Sequence, residues 1–248
     1  MKGVSTIMFI LGTLYFLSSN LLLNYSSANE VQSSNKKDKN TNEADSGNLG
    51  NSDVSKSNDW MKCCRNDYEN FKCSSNYNVR AWFDRKKGEF DRYLKGLETK
   101  WAHYRGTVSG TKHAETLKDS AGWNADKWRK WMEGNGKKLL HEEWKKWMEG
   151  QKKGYEGMIT KDWDKWVCER EKDYNKFCIG TNENNKAEWT KYKDSNRESH
   201  FKQTKEKWED WHKDTMFHFR EWFPGFCERW LEKQSWNLWL KEIKRAAK

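Results

Sequence analysis

Five Trp-x-x-Trp pairs (Trp128/Trp131, Trp144/Trp147, Trp163/Trp166, Trp208/Trp211 and Trp236/Trp239) constrain this chain more than any other feature. Residues three apart are neighbours on an α-helix and point to opposite faces of a strand, so each pair makes one broad aromatic plate only if the backbone is helical. The chain has a single proline, Pro224, which leaves long helices permitted almost throughout. From Val79 to Tyr104 the apolar residues Phe83, Phe90, Leu94, Leu97, Trp101 and Tyr104 recur at heptad-like steps and fall in one wedge, with arginine and lysine around the rest of the circumference. No stretch alternates with period two, so strands are not expected.

The other boundaries follow from composition. Lys2, the apolar run Ile7–Leu17 and the small exit Ser26-Ser27-Ala28 have the layout of a secretory signal peptide over residues 1–28. Residues 29–58 are rich in Asn, Ser, Lys and Asp, with too little apolar surface to offset chain entropy, and are expected to be a disordered linker. Residues 59–248 then form one tryptophan-rich helical domain. Six cysteines following a secretory leader suggest disulfides. Cys168 and Cys178 cannot pair if one helix joins them, because ten residues rise about 15 Å.

The near repeat Trp128-Arg-Lys-Trp-Met-Glu-Gly134 and Trp144-Lys-Lys-Trp-Met-Glu-Gly150 has an offset of sixteen residues, which in a straight helix turns the second pair about 160° from the first. Gly134 and Gly136 are therefore expected to bend or end the helix between them. A turn is expected at Gly180-Thr181-Asn182, a last helical region from about Asn184, and a local kink at Pro224.

The charges exclude some functions. The one cation of the leader and the net single negative charge of residues 29–58 cancel, so the whole +10 rests on residues 59–248. A basic secreted domain seeks anionic surfaces. Nucleic acid is disfavoured as a partner, because lysines alternate with Glu and Asp instead of forming one basic stripe. No catalytic, cofactor or metal motif is present: the six histidines form no H-E-x-x-H pair, and Gly134-Asn-Gly136 follows no strand. Binding residues are expected at the C-terminal edge, Trp236, Trp239, Lys241, Lys244 and Arg245, where indole beside lysine suits a membrane interface, although a last helix packed on the bundle is the plainer reading. Lys145, Lys146, Lys152 and Lys153 form a second electrostatic candidate.

A leader, a short polar spacer and a domain dense in Trp-x-x-Trp, including W-K-x-W-M-E-G and the Glu206–Trp211 motif E-K-W-E-D-W, resemble the Plasmodium tryptophan-rich antigens. The resemblance implies an all-α fold: an elongated bundle with three long helices as its core, similar to membrane-binding BAR-type bundles. It implies a non-enzymatic blood-stage antigen at the merozoite surface, in the parasitophorous vacuole or at the infected erythrocyte. Such a protein binds the erythrocyte or membrane surface through anionic lipid head groups, or alternatively acts as an adhesin for an erythrocyte protein receptor. The resemblance carries over no catalytic residue and no oligomeric state. Residues 29–58 contain no arginine, so an R-x-L-x-acid export signal is missing there.

Overall fold

The computed structural model describes residues 49–108, 110–177 and 183–246, with side chains from Asn58 to Lys176 and from Glu183 to Arg245 over those ranges. The proposed leader, most of the spacer, Cys178 and the Gly180–Asn182 turn lie outside the described residues. The described residues are helical and contain no strand, in keeping with the all-α expectation.

Helix α1 runs from Leu49 to Lys100, so its first ten residues fall inside the stretch assigned to the spacer. A connection with two short 3₁₀ turns, Glu115–Leu117 and Ser120–Gly122, leads to α2, Ala125–Trp131. Asn124 caps α2, its side-chain oxygen accepting from the Lys127 amide at 3.0 Å. The chain continues through a π-helical turn, Met132–Gly136, into α3, Lys137–Phe177. Helix α4 spans Glu183–Glu232 with Pro224 inside it, and α5 spans Trp236–Ala246. At 1.5 Å per residue the three long helices measure about 60 to 80 Å.

These three helices pack against one another in an up–down–up arrangement. Trp82 meets Tyr155 and Lys100 meets Glu143, so α1 and α3 are antiparallel; Arg65 meets Glu188 and Glu98 accepts from the Trp222 indole, so α1 and α4 are parallel.

The π turn settles the sixteen-residue offset. One extra residue absorbed there removes about 100° of rotation, leaving the two Trp-x-x-Trp pairs about 60° apart instead of 160°. Trp128, Trp131 and Trp144 are accordingly all buried in the same core, with Trp147 half-buried against it. The helix is therefore wound wider at Gly134 and Gly136, not ended. Gly136 is required by packing, since a Cβ there would come within 2.9 Å of the Met132 sulfur and 3.4 Å of the Trp131 ring.

All seventeen tryptophans lie in the described residues and none is exposed: twelve are buried and five half-buried. The cause is supply: only 35% of the chain is hydrophobic, so indoles are the main filler, each burying roughly 150–250 Å².

Two aromatic clusters result. The larger extends from Val79 and Trp82 to Trp239; the smaller holds Trp60, Met61, Cys64, Tyr68, Trp163, Trp166 and Trp189. Phe201 packs against both. A polar waist lies near the division, where Ser75, His200 and Thr204 are buried and Asn78 donates to Asp162 at 3.0 Å.

The expected disulfides are absent among the described cysteines. Cys64 and Cys227 are buried thiols in separate clusters, while Cys63, Cys73 and Cys168 are exposed. Burial pushes the Cys64 thiol well above its ordinary pKa and that of Cys227 up to about 11, so neither is a ready nucleophile.

Gly150, Gly154 and Gly157 do not interrupt α3. All three are exposed, and a Cβ at any of them would meet nothing within 4 Å. Changing all three to alanine should therefore stabilise the protein by about 0.4–1 kcal/mol per site, mainly by restricting the unfolded chain. Thermal unfolding should show a midpoint raised by about 3–10 °C; a lowered midpoint would mean that this helix face is packed.

Candidate binding surface

The C-terminal edge is built by a chain reversal with no glycine. Gln234 adopts φ 45°, its amide donates to the Leu231 carbonyl at 2.9 Å, and the Ser235 amide donates to the Trp230 carbonyl at 3.1 Å. These two bonds are the Schellman pattern that closes a helix, with glutamine in the left-handed position usually held by glycine. The chain turns back, and α5 lays its apolar stripe on the ends of α1, α2 and α4.

Trp236 and Trp239 are consequently core residues. Trp239 has 0% exposure and Trp236 is half-buried. Their rings meet Trp230 at 5.2 Å (Trp239) and 5.8 Å (Trp236), and Trp239 also meets Trp101 at 5.8 Å and Trp131 at 5.7 Å. The Trp101 carbonyl, just beyond α1, accepts from the indole N–H groups of both Trp230 (2.9 Å) and Trp239 (3.1 Å). An unpaired carbonyl at the end of a helix would carry a desolvation cost here, and two buried indole donors offset it. As membrane-inserting residues, Trp236 and Trp239 are corrected: the plainer reading, a last helix packed on the bundle, holds.

Glu242 locks this helix in place. Its carboxylate accepts from the backbone amides of Tyr104 (2.8 Å) and Arg105 (3.0 Å) and lies 2.9 Å from His103 Nδ1. Burial opposes its charge, but His103 and the two amides outweigh burial and hold the carboxyl below its ordinary pKa.

The cations expected beside these tryptophans do reach solvent. Lys241, Lys244 and Arg245 are exposed at positions i, i+3 and i+4 of α5, on one face, and make no ion pair among the described residues. Lys145, Lys146, Lys152 and Lys153 are exposed on α3, at the middle of the bundle and away from the α5 end. Lys145 and Lys152 have loose partners one turn away, Glu142 at 3.6 Å and Glu156 at 3.7 Å, whereas Lys146 and Lys153 make no ion pair among the described residues. Exposed pairs of that kind contribute little and leave the lysines available. Two separate basic patches therefore stand where one had been ranked above the other.

Sequence reasoning missed one concavity. Between α3 and α4 a groove of 630 Å³ is floored by Trp144, Met148, Tyr155, Ile159, Thr204 and Trp208. Lys145 and Lys152 line it, while Lys146 and Lys153 do not. The signal was the four, seven and four spacing of Trp144, Met148, Tyr155 and Ile159 along α3. Among the described residues, no His, Cys, Asp and Glu group is arranged to hold a metal ion, and no helix is long and apolar enough to cross a membrane.

Glu242→Gln should lower stability by about 1–2 kcal/mol, the scale of charged hydrogen bonds to backbone amides, which is about 3–8 °C in unfolding midpoint for a chain of this size. Because the folded pKa is depressed, the difference between native and variant should be full above the ordinary value of 4.5 and fade as pH falls through the folded value. A difference that grew with acid would contradict this bonding.

Residues 56–177, from the second turn of α1 to the end of α3, match the model of the tryptophan-threonine-rich Plasmodium antigen C-terminal family. No curated protein matches the chain. Residues 56–177 are thus a tryptophan-threonine-rich Plasmodium antigen C-terminal region.

Proposed function

We propose that this antigen is a non-enzymatic module that binds an anionic membrane surface from outside, at the parasite surface, in the vacuole or on the erythrocyte, by electrostatics without tryptophan insertion. The observation that carries this reading is the exposed cations that make no ion pair among the described residues, among them Lys241, Lys244 and Arg245 on one face of α5 and Lys146 and Lys153 on α3, in a domain that holds the chain's net +10. Each basic residue near an anionic bilayer contributes on the order of 1 kcal/mol, and the attraction falls within a Debye length of about 10 Å at 0.1 M salt. Buried indoles are compatible with this mode, since head-group attraction needs no ring inserted into the acyl region. The bare face formed by Gly150, Gly154 and Gly157 lies close along α3 to Lys146 and Lys153 and adds no side chain to hold a flat surface away.

Co-sedimentation with vesicles tests the proposal. Neutral phosphatidylcholine vesicles should leave the protein in solution, whereas vesicles with acidic lipid should pellet it, with affinity falling steeply as salt rises. Lys241→Glu/Lys244→Glu/Arg245→Glu should weaken binding by at least tenfold, and Lys146→Glu/Lys153→Glu by a smaller factor. Failure to bind acidic vesicles would reject the membrane reading and move the function to a protein receptor on the red cell.

A further inference from the structure

All six histidines lie among the described residues, and His200 alone of them is buried, at 6% exposure. It stands on α4 at the polar waist between the two aromatic clusters. Its imidazole faces Phe71 of α1 at 5.1 Å and stacks on Trp163 of α3 at 5.8 Å. Both of those rings pack in turn on Tyr68 and Trp166 of the smaller cluster. Toward the larger cluster the connection runs through the backbone and through Phe201, whose ring is 5.8 Å away. The His200 carbonyl accepts from the Thr204 hydroxyl at 3.0 Å, and the Thr204 carbonyl accepts from Tyr155 at 2.9 Å.

This position is a poor place for a charge. His200 Nε2 is buried with no hydrogen-bond partner among the described residues, so an imidazolium would hold a buried N–H without an acceptor. Helix α1 meets the ring with Phe71, which carries no charge. Helix α3 brings Asp162, whose carboxylate already accepts from Asn78 at 3.0 Å, and α4 brings Lys207, which donates to Asn76 at 2.6 Å. Burial first and Lys207 second hold the ring below its ordinary pKa of 6.5, against the opposing pull of Asp162. The other histidines are placed differently: His113, His141 and His212 are half-buried and His103 and His218 exposed, so their charged forms keep contact with water.

We propose that His200 is an acid-sensitive latch: when its ring takes up a proton, the end of the bundle built on Trp60, Tyr68, Trp163, Trp166 and Trp189 opens while the end built on the larger cluster stays closed. The sizes of the clusters set which end yields. Seven buried residues form the smaller one against twenty-four in the larger, which is also tied by the Trp101 carbonyl and by Glu242. Opening also gives water to the indole N–H groups of Trp166 and Trp189, which are buried with no partner among the described residues. A ring whose folded pKa lies below its ordinary value binds a proton more tightly once open. The closed end is therefore most stable above pH 6.5 and weakens as pH falls from there toward the folded value, by at most about tenfold in the closed-to-open ratio per pH unit for one proton.

Hydrogen exchange of the full chain, read by mass spectrometry and corrected for the intrinsic pH dependence of amide exchange, tests the latch. The range is about pH 7.5 to about pH 5.5, in which ordinary carboxylates stay charged. Protection of residues 60–71, 160–170 and 189–200 should fall by at least about threefold, and that of residues 219–231 should change by less. His200→Phe keeps an aromatic ring in the cage and has no proton to gain, so its protection should stay level across the range. Lys207→Gln removes the cation that opposes the imidazolium and should shrink the fall, which keeps the test open if the first variant does not fold. No fall in the native protein, an equal fall at both ends, or an undiminished fall in either variant would overturn the proposal.

Discussion

Burial of indole rings is the interaction on which the rest of the structure depends. A chain of mean hydropathy −1.22 has few aliphatic residues with which to fill the space between three long helices. It fills that space with rings, and a ring that carries an N–H brings a hydrogen-bonding demand into the core. At the α5 end that demand is met for Trp230 and Trp239 where a helix has a carbonyl to spare: the carbonyl of Trp101, itself fully buried, accepts from both. One backbone oxygen thus ties the end of α1 to α4 and α5. Glu242 makes the same connection on the donor side through the amides of Tyr104 and Arg105.

That economy explains what was legible in the residues and what was not. The Phe83–Tyr104 wedge and the Trp-x-x-Trp spacing report the face a helix buries, and they placed α1, α3 and α4 on one core. The π turn was not legible, because Gly134 and Gly136 read equally well as a helix end; their role emerges only from the closeness of Met132 and Trp131 to Gly136. The start of α1 at Leu49 was hidden by composition that reads as spacer, since the first residues of that helix carry little apolar surface. The reversal at Gln234 was hidden as well, because the left-handed position holds a residue that gives no turn signal.

The candidate surface was legible in part for the same reason. Charges at exposed positions declare themselves, so Lys241, Lys244, Arg245, Lys145, Lys146, Lys152 and Lys153 all reach solvent as expected. Indoles do not declare which side they face: beside lysine, Trp239 had the composition of a membrane anchor, yet it is among the most deeply buried residues of the chain. The groove required two helices brought side by side, which one-dimensional spacing does not contain. What emerges is a division of labour, with aromatics holding the bundle together and lysines, with the acids between them, facing outward.

The most direct measurement of that division is tryptophan fluorescence of the protein as acidic vesicles are added at low salt, with acrylamide as quencher. With every indole at least half-buried in the bundle, the emission maximum and quenching constant should stay unchanged while sedimentation shows the protein bound. A blue shift with loss of quenching on binding would show indoles entering the bilayer, and would contradict the account that these rings belong to the core.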